Sequence, residues 1–182
     1  MLENLMDLIR QNAGSAIINN PEIPNERNEE AVHATGNSII NSLQNALSGG
    51  GIKDVLSMFS KGTADANNPV VNQASGNLID TLKSQFGLGD KQAENVANDV
   101  VPKVMDQLAQ KTADPADDRF NAQNIFNQLS GGKTSGLNIQ ALLGKFKAGL
   151  DKDGDGDVDM QDLQSLFSGG GSIMDKVKSV FN

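Results

Sequence analysis

The sequence predicts an all-α fold, a compact multihelical bundle of short helices with one helix–loop–helix unit at its C-terminal end. Apolar residues recur every three or four positions along almost the whole chain, which is the spacing of an amphipathic helix. No segment shows the alternating pattern of a strand or the signal of a hairpin. The core must be aliphatic, because the 182 residues include seven Phe but no Trp, Tyr or Cys.

Proline and glycine mark the ends of the first predicted helices. Apolar spacing predicts a first helix over residues 2–9 and a second over residues 32–43. Pro21 and Pro24 break the chain between them, because proline cannot continue a helix. The glycine run 49–51 ends the second helix.

Two longer helical patterns follow in the middle of the chain. Residues 71–82 predict one helix, and residues 96–108 predict another that Pro102 kinks or divides. The segment KGTADANN, residues 61–68, is polar and small, and it is the best candidate for a mobile hinge.

Internal repetition accompanies these patterns. VHATGNSIINSL, from Val32, and VNQASGNLIDTL, from Val71, have corresponding apolar positions. A shorter unit recurs as IKDVLSMFSKG from Ile52, AQNIFNQLSGG from Ala122 and MQDLQSLFSGG from Met160. Either amphipathic helices have converged on one pattern, or the bundle grew by duplication of a helical hairpin. Both interpretations predict the same architecture.

The acidity of the chain is concentrated in one segment. Of a net charge of −8, residues 151–162 carry −5, from six aspartates and one lysine. No clustered basic face favours nucleic acid. The first 20 residues are interrupted by charges too early for a secretory signal, and no apolar stretch is long enough to span a membrane. We therefore expect a cytoplasmic protein, with export that needs no cleaved signal left open.

The acidic segment has the spacing of a calcium-binding loop. Calcium prefers six to eight oxygen ligands, which a twelve-residue loop supplies from positions 1, 3, 5, 7, 9 and 12 around a glycine at position 6. Gly156 stands at position 6, and apolar residues that include Leu143 and Phe146 precede the loop at helical spacing. The six candidate metal ligands are Asp151, Asp153, Asp155, Asp157, Asp159 and Asp162.

This pattern resembles an EF-hand over residues 138–168, with the loop at residues 151–162, and the resemblance implies bound Ca²⁺. A solvated acidic loop is the alternative. Position 12 is usually a bidentate Glu, whereas here it is Asp162, as bacterial dockerin modules also tolerate. The shorter side chain argues against tight affinity. Residues 173–181 predict a last short helix, which either docks near the loop under the influence of calcium or packs independently of it.

A second resemblance covers residues 86–132. FGLGDKQAENVANDVVPKVMDQLAQ and the following FNAQNIFNQLSGG are similar to the bacterial YidB-like family of multihelical proteins. That family has no established chemistry, so the resemblance implies a helical bundle and no active site. The chain then divides into an N-terminal helical segment (1–62), a YidB-like segment (63–136) and the EF-hand with a C-terminal helix (137–182), packed as one or two domains.

Other candidate sites are weak. SGGKTSG, from Ser130, lacks the glycine that a phosphate-binding loop needs six residues before its lysine, where Asn127 stands. His33 is the only histidine, and the paired Glu29 and Glu30 suit a helix start. We expect a calcium-binding structural or interaction protein without catalysis, whose partner is another protein or a second copy. The alternatives are an exported calcium-dependent assembly or adhesion protein and an enzyme with an unrecognised site.

Overall fold

The computed structural model describes residues 2–114 and 116–147 of the 182-residue chain. These residues form seven α-helices and no strand, which confirms the all-α class predicted from the sequence. A π-helix at Gly14–Ile18 and 3₁₀-helices at Asn25–Arg27 and Asp118–Phe120 lie between them. The α-helices are α1 (Leu2–Asn12), α2 (Asn28–Ser48), α3 (Ile52–Lys61), α4 (Pro69–Phe86), α5 (Asp90–Ala113), α6 (Ala122–Leu129) and α7 (Ile139–Lys147).

Helix α5 lies at the centre of the bundle and contacts α1, α2, α3 and α4. Its small Ala and Val side chains let the neighbouring helices approach closely. The α5 residues that are at most 3% exposed are Ala93, Val96, Ala97, Val100, Val101, Val104, Met105, Leu108 and Ala109. One continuous core cluster, which extends from Leu5 in α1 to Leu143 in α7, includes them.

Pro102 lies inside α5 without dividing it. The sequence predicted a kink or a division here, and the structure has one helix, Asp90–Ala113, so the division did not occur. Proline removes one helical hydrogen bond, the bond to the carbonyl of Asn98. Asn98 is exposed, so water can take the place of that donor. Burial of the residues on both sides of Pro102 keeps the helix continuous.

The turn between α4 and α5 is fixed by a glycine. Gly87 has φ +71°, a left-handed conformation that a side chain would strain. The N–H groups of Gly87 and Leu88 both donate to the carbonyl of Leu82, the second at 3.2 Å, which satisfies a carbonyl at the end of α4. Leu88 is buried at 6% exposure, so the turn is also packed on the core. Helix α5 therefore follows α4 after a short, well-defined connection.

The N-terminal helix packs on α2 at a glycine. A Cβ atom at Gly36 would lie 2.2 Å from Cε and 3.0 Å from Sδ of Met6. The absence of that atom lets α1 approach α2. The sequence predicted the break at Pro21 and Pro24 between α1 and α2. Two apolar residues of this segment, Ile17 and Ile23, are nevertheless buried at 0% and 1% exposure. The break therefore contributes to the core as well as connecting two helices.

Residues 61–68, predicted as a candidate hinge, are fastened to α5. Asp106 of α5 accepts hydrogen bonds from the hydroxyl of Thr63 at 2.8 Å and from the N–H of Ala64 at 3.0 Å. Asn68 caps α4 by accepting from the N–H of Val70 at 2.8 Å. These bonds attach the segment to α5 and cap the start of α4.

The two copies of the longer sequence repeat lie on α2 and α4, which pack against each other. The amide Nδ2 of Asn77 on α4 donates to Oγ of Ser42 on α2 at 3.0 Å. The N-terminal end of α2 meets the C-terminal end of α4, because Arg27 donates to the carbonyl of Gln85 at 3.0 Å. The two repeats are thus antiparallel neighbours.

Two exposed ion pairs join helices at the surface. Nη2 of Arg10 lies 2.8 Å from Oε2 of Glu29, and Nζ of Lys83 lies 2.6 Å from Oδ1 of Asp90. The hydrogen bond from Arg10 lowers the pKa of the Glu29 carboxyl, and the bond from Lys83 lowers the pKa of Asp90. Solvent screens both pairs, so each adds little to stability.

The burial of α5 predicts a large cost for removing its side chains. Leu108 is fully buried, so we expect Leu108→Ala to lower the free energy of unfolding by about 2–5 kcal/mol. Asn95→Ala, on the exposed side of the same helix, should change it by less than about 0.5 kcal/mol. Urea denaturation of both variants checks this, and similar midpoints would contradict the central position of α5.

The Arg10–Glu29 pair predicts a pH-dependent contribution to stability. The pKa of Glu29 in the folded chain is below its ordinary value of 4.5. Its contribution is therefore present above pH 4.5 and disappears as the pH falls through the lower folded pKa. We expect Glu29→Gln to be slightly less stable than the unaltered chain at about neutral pH and equally stable in strong acid.

Denaturation midpoints across this pH range measure the effect of the Glu29 substitution. Glu22→Gln is the control, because Glu22 is exposed and its carboxylate is in no ion pair among the described residues. A difference between the Glu29 variant and the unaltered chain that persists unchanged in strong acid would contradict the assignment.

Candidate functional site

The six aspartates predicted to bind calcium lie outside the described residues, so the calcium loop stays a prediction. The same holds for the predicted helix over residues 173–181. Within residues 2–114 and 116–147, no group of three or more His, Asp or Glu side chains is placed to hold a metal ion. The structure does describe the helix that leads towards the aspartates.

Helix α7 is the helix that precedes the aspartate segment, as the sequence predicted. Ile139 and Leu143 are buried at 1% and 8% exposure. Leu142 and Phe146 are partly buried against the same core. Leu143 and Phe146 were predicted to share one helix face, and both contact the core. Because α7 packs on α3 and α6, its last described turn has a fixed position on the bundle.

One side chain clamps the connection between α6 and α7. Gln123 of α6 donates from Nε2 to the carbonyl of Thr134 at 3.2 Å. Its Oε1 accepts from the N–H of Ile139, the first residue of α7, at 3.0 Å. Both the nitrogen and the oxygen of the Gln123 carboxamide are therefore bonded, one to Thr134 in the turn and the other to Ile139 at the start of α7. Helix α6 is itself held on α3, where the rings of Phe126 and Phe59 meet edge to face at 5.5 Å.

The segment 130–136 is a structural turn between α6 and α7. Thr134 is fully buried, and its hydroxyl lies 3.1 Å from Oγ of Ser130. The N–H of Gly132 donates to the carbonyl of Asn127 at 2.7 Å, which caps the C-terminal end of α6. The segment therefore connects the capped end of α6 to the start of α7.

An open polar groove of about 940 Å³ lies between α2 and α4. Ala34 and Ser38 of α2 lie in it and are buried at 9% and 4% exposure, so small side chains form its floor. Every fourth residue of α2 forms one wall, namely His33, Asn37, Asn41 and Asn45. The facing wall on α4 has the same spacing, with Asn77, Thr81 and Gln85.

The wall on α2 carries three carboxamides that make no hydrogen bond to another described residue. Asn37, Asn41 and Asn45 are exposed, and their side chains have no hydrogen-bond partner among the described residues. The sequence analysis did not identify them. A search for polar residues at a spacing of four, beside the apolar pattern of α2, would have found them, because residues four apart share a helix face.

The charged groups of the groove are acidic. Glu30 and Asp80 line it together with His33. Glu30 is already paired with Arg27, whose Nη2 lies 2.8 Å from its Oε2. His33 is exposed and lies near Glu29, whose pKa it lowers less than Arg10 does. Among the described residues, the His33 imidazole makes no hydrogen bond.

Comparison with known families adds an assignment. A family described as a bacterial protein of unknown function (DUF937) matches residues 68–179, more than half of the 182-residue chain. The chain belongs to this family. The result confirms the YidB-like resemblance and extends it beyond residues 86–132.

The DUF937 match includes α4 to α7 and continues through the aspartate segment 151–162. Helices α1 to α3 precede the matched range. Neither the curated proteins nor the solved structures gave a match to the chain. Among the described helices, none is both long and apolar enough to cross a membrane.

The clamp at Gln123 predicts a specific weakening of α7. We expect Gln123→Ala to lower the free energy of unfolding by about 1–3 kcal/mol, because two hydrogen bonds are lost. Exchange of the Ile139 amide hydrogen should accelerate, since that N–H donates to Gln123. Gln128→Ala, exposed on the same helix, is the matched control. Equal exchange of the Ile139 amide in both variants, followed by NMR, would refute the clamp.

Proposed function

We propose that this DUF937 protein is a calcium-binding structural or interaction protein, in which the ion organises the C-terminal helices for folding or partner binding. The observation that carries the proposal is the spacing of six aspartates at positions 1, 3, 5, 7, 9 and 12 of residues 151–162. Gly156 stands at the position where the loop must turn sharply.

The ligands would contribute in different ways. Asp151, Asp153 and Asp155 would supply carboxylate oxygens from the first half of the loop. Position 7 offers its backbone carbonyl, so the side chain of Asp157 is not needed for coordination. Asp162 would complete the site from the last position. Carboxylates are the hard oxygen ligands that calcium prefers, which favours it over softer metals.

The described part of the chain supports this proposal through α7. The helix ends its described course at Lys147, four residues before Asp151. Its apolar residues are packed on the core, and Gln123 holds its first residue. An ion bound just after such a helix would act on an element that is already attached to α3 and α6. Its binding free energy would then stabilise the bundle as well as the loop.

Charge gives calcium a second effect on this segment. Residues 151–162 carry −5, and like charges so close together repel one another. A divalent cation would relieve that repulsion. Ligand binding to the folded chain alone stabilises it by RT ln(1 + [L]/Kd), about 2.7 kcal/mol at a hundredfold excess over Kd.

The aspartate at position 12 bears on where the protein would work. Asp162 is one methylene shorter than the usual Glu, which favours weaker binding. Extracellular modules bind calcium with Kd values of about 10⁻⁴–10⁻³ M. An exported calcium-dependent assembly or adhesion protein is therefore the second candidate. Catalysis has less support, because the chain has one His and no Cys.

The proposal predicts one calcium site per chain with a defined order of ligand importance. In calorimetric titrations we expect one site for calcium and weaker binding of magnesium, which demands a smaller octahedral site. Asp151→Ala should abolish the calcium-dependent rise in melting temperature. Asp157→Ala is the matched control and should retain most of it, because position 7 uses its carbonyl.

Two results of these titrations would reject the proposal. One is no heat and no change in melting temperature at millimolar calcium. The other is an equal loss of binding in the two variants, because a loop in EF-hand register cannot depend equally on both side chains.

A further inference from the structure

We propose that residues 160–167 form a helix that docks on the side of α7 formed by Leu142 and Phe146. The occupant is a further copy of the short repeat unit, and it belongs to the same chain. The proposal stands on the packing of the copies that the structure describes, so it does not rest on calcium binding by the aspartate segment.

Three copies of the short unit are described, and they pack against one another. Each begins at the first residue of its helix, with IKDVLSMFSKG in α3, AQNIFNQLSGG in α6 and IQALLGKFKAG starting in α7. Helix α7 contacts both α3 and α6. The rings of Phe59 in α3 and Phe126 in α6 meet edge to face at 5.5 Å. The unit is therefore a helix that packs on other copies of itself.

Positions four and eight of the unit are fully covered in α3 and α6. Val55 and Phe59 occupy them in α3 and are buried at 0% and 1% exposure. Ile125 and Leu129 occupy them in α6 and are buried at 1% and 5% exposure. In both copies these two apolar side chains belong to the core cluster.

The same two positions of α7 are less well covered. Leu142 and Phe146 occupy them, and both are only partly buried against the core. They are four residues apart, so they lie on one side of the helix. The fully buried side of α7 is formed instead by Ile139 and Leu143, at 1% and 8% exposure. The comparison with α3 and α6 indicates that an element after α7 covers Leu142 and Phe146.

The chain after α7 contains a further copy of the unit. MQDLQSLFSGG has apolar residues at positions one, four and eight, namely Met160, Leu163 and Phe167. Only residues 148–159 separate this copy from the last described turn of α7. A short tether gives it a high effective concentration at α7. Isolated helices shorter than about 12–15 residues are marginal in water, so a helix of residues 160–167 must pack on another element.

Charge favours this copy over the last copy in the chain, residues 173–181. The sequence of α7 contains two lysines and no acidic residue. Residues 160–167 contain Asp162 and no basic residue, whereas residues 173–181 contain two lysines and one aspartate. Opposite charges attract and like charges repel at short range. Residues 160–167 are therefore the better partner for α7.

A spin label on the full-length chain tests the docking directly. The chain has no Cys, so Ser168→Cys gives a single attachment site, directly after the proposed helix. NMR spectra of the isotopically labelled chain are recorded at millimolar calcium. Because the paramagnetic effect falls steeply with distance, we expect the amide signals of residues 139–147 to lose more intensity than those of α4. Calorimetry of the same chain reports calcium binding separately, so failure of either proposal can be distinguished.

Two results with the spin label would overturn the proposal. One is a loss of intensity in residues 139–147 that is no larger than the loss in α4. The other comes from a mixture in which one chain carries the spin label and another carries the isotope. Broadening of residues 139–147 of equal size in that mixture would show that a second copy, and not the same chain, covers α7.

Variants of the occupant identify the contact. Replacing Leu163 and Phe167 together by Asn should abolish the selective broadening of residues 139–147, because both apolar contacts are lost. Gln164→Asn, at a polar position of the same unit, is the matched control and should retain it. Circular dichroism melting checks that the bundle stays folded in each variant. Undiminished broadening in the double variant, or an equal loss in the Gln164 variant, would refute docking through this apolar face.

Discussion

The packing of α5 against α1, α3 and α4 determines where the other helices of the described chain lie. Because α5 is lined with Ala and Val on its buried sides, its neighbours approach it closely. Helix α4 connects to α5 through the left-handed turn at Gly87. Helix α3 in turn packs against α7, and its Phe59 ring meets the Phe126 ring of α6 edge to face.

This arrangement leaves two places for function, each attached to the core by different helices. The outer surface of α2 and α4 forms the polar groove, whose walls derive from the two copies of the sequence repeat. Helix α7, fastened by Gln123 and by its apolar face, leads to the aspartate segment.

Sequence reasoning worked where local physics decides the structure. Apolar spacing and glycine stops located the helices, and the antiparallel pairing of the two repeats agrees with their matched apolar positions. It failed where packing decides. Pro102 was expected to kink or divide the helix, and α5 is not divided there. The partners of Asp106 and Gln123 come from distant segments, so no local pattern could identify them.

Hydrogen exchange of the full-length chain, measured by mass spectrometry with calcium and with chelator, tests most directly whether the ion acts on the bundle. If calcium binding is coupled to the core through α7, amides of residues 139–147 and of the predicted helix 173–181 should exchange more slowly with calcium. Exchange of the exposed amides of α2, which lies far from the aspartate segment in the sequence, should change little. Unchanged exchange in residues 139–147, despite calcium bound in residues 151–162, would contradict the account.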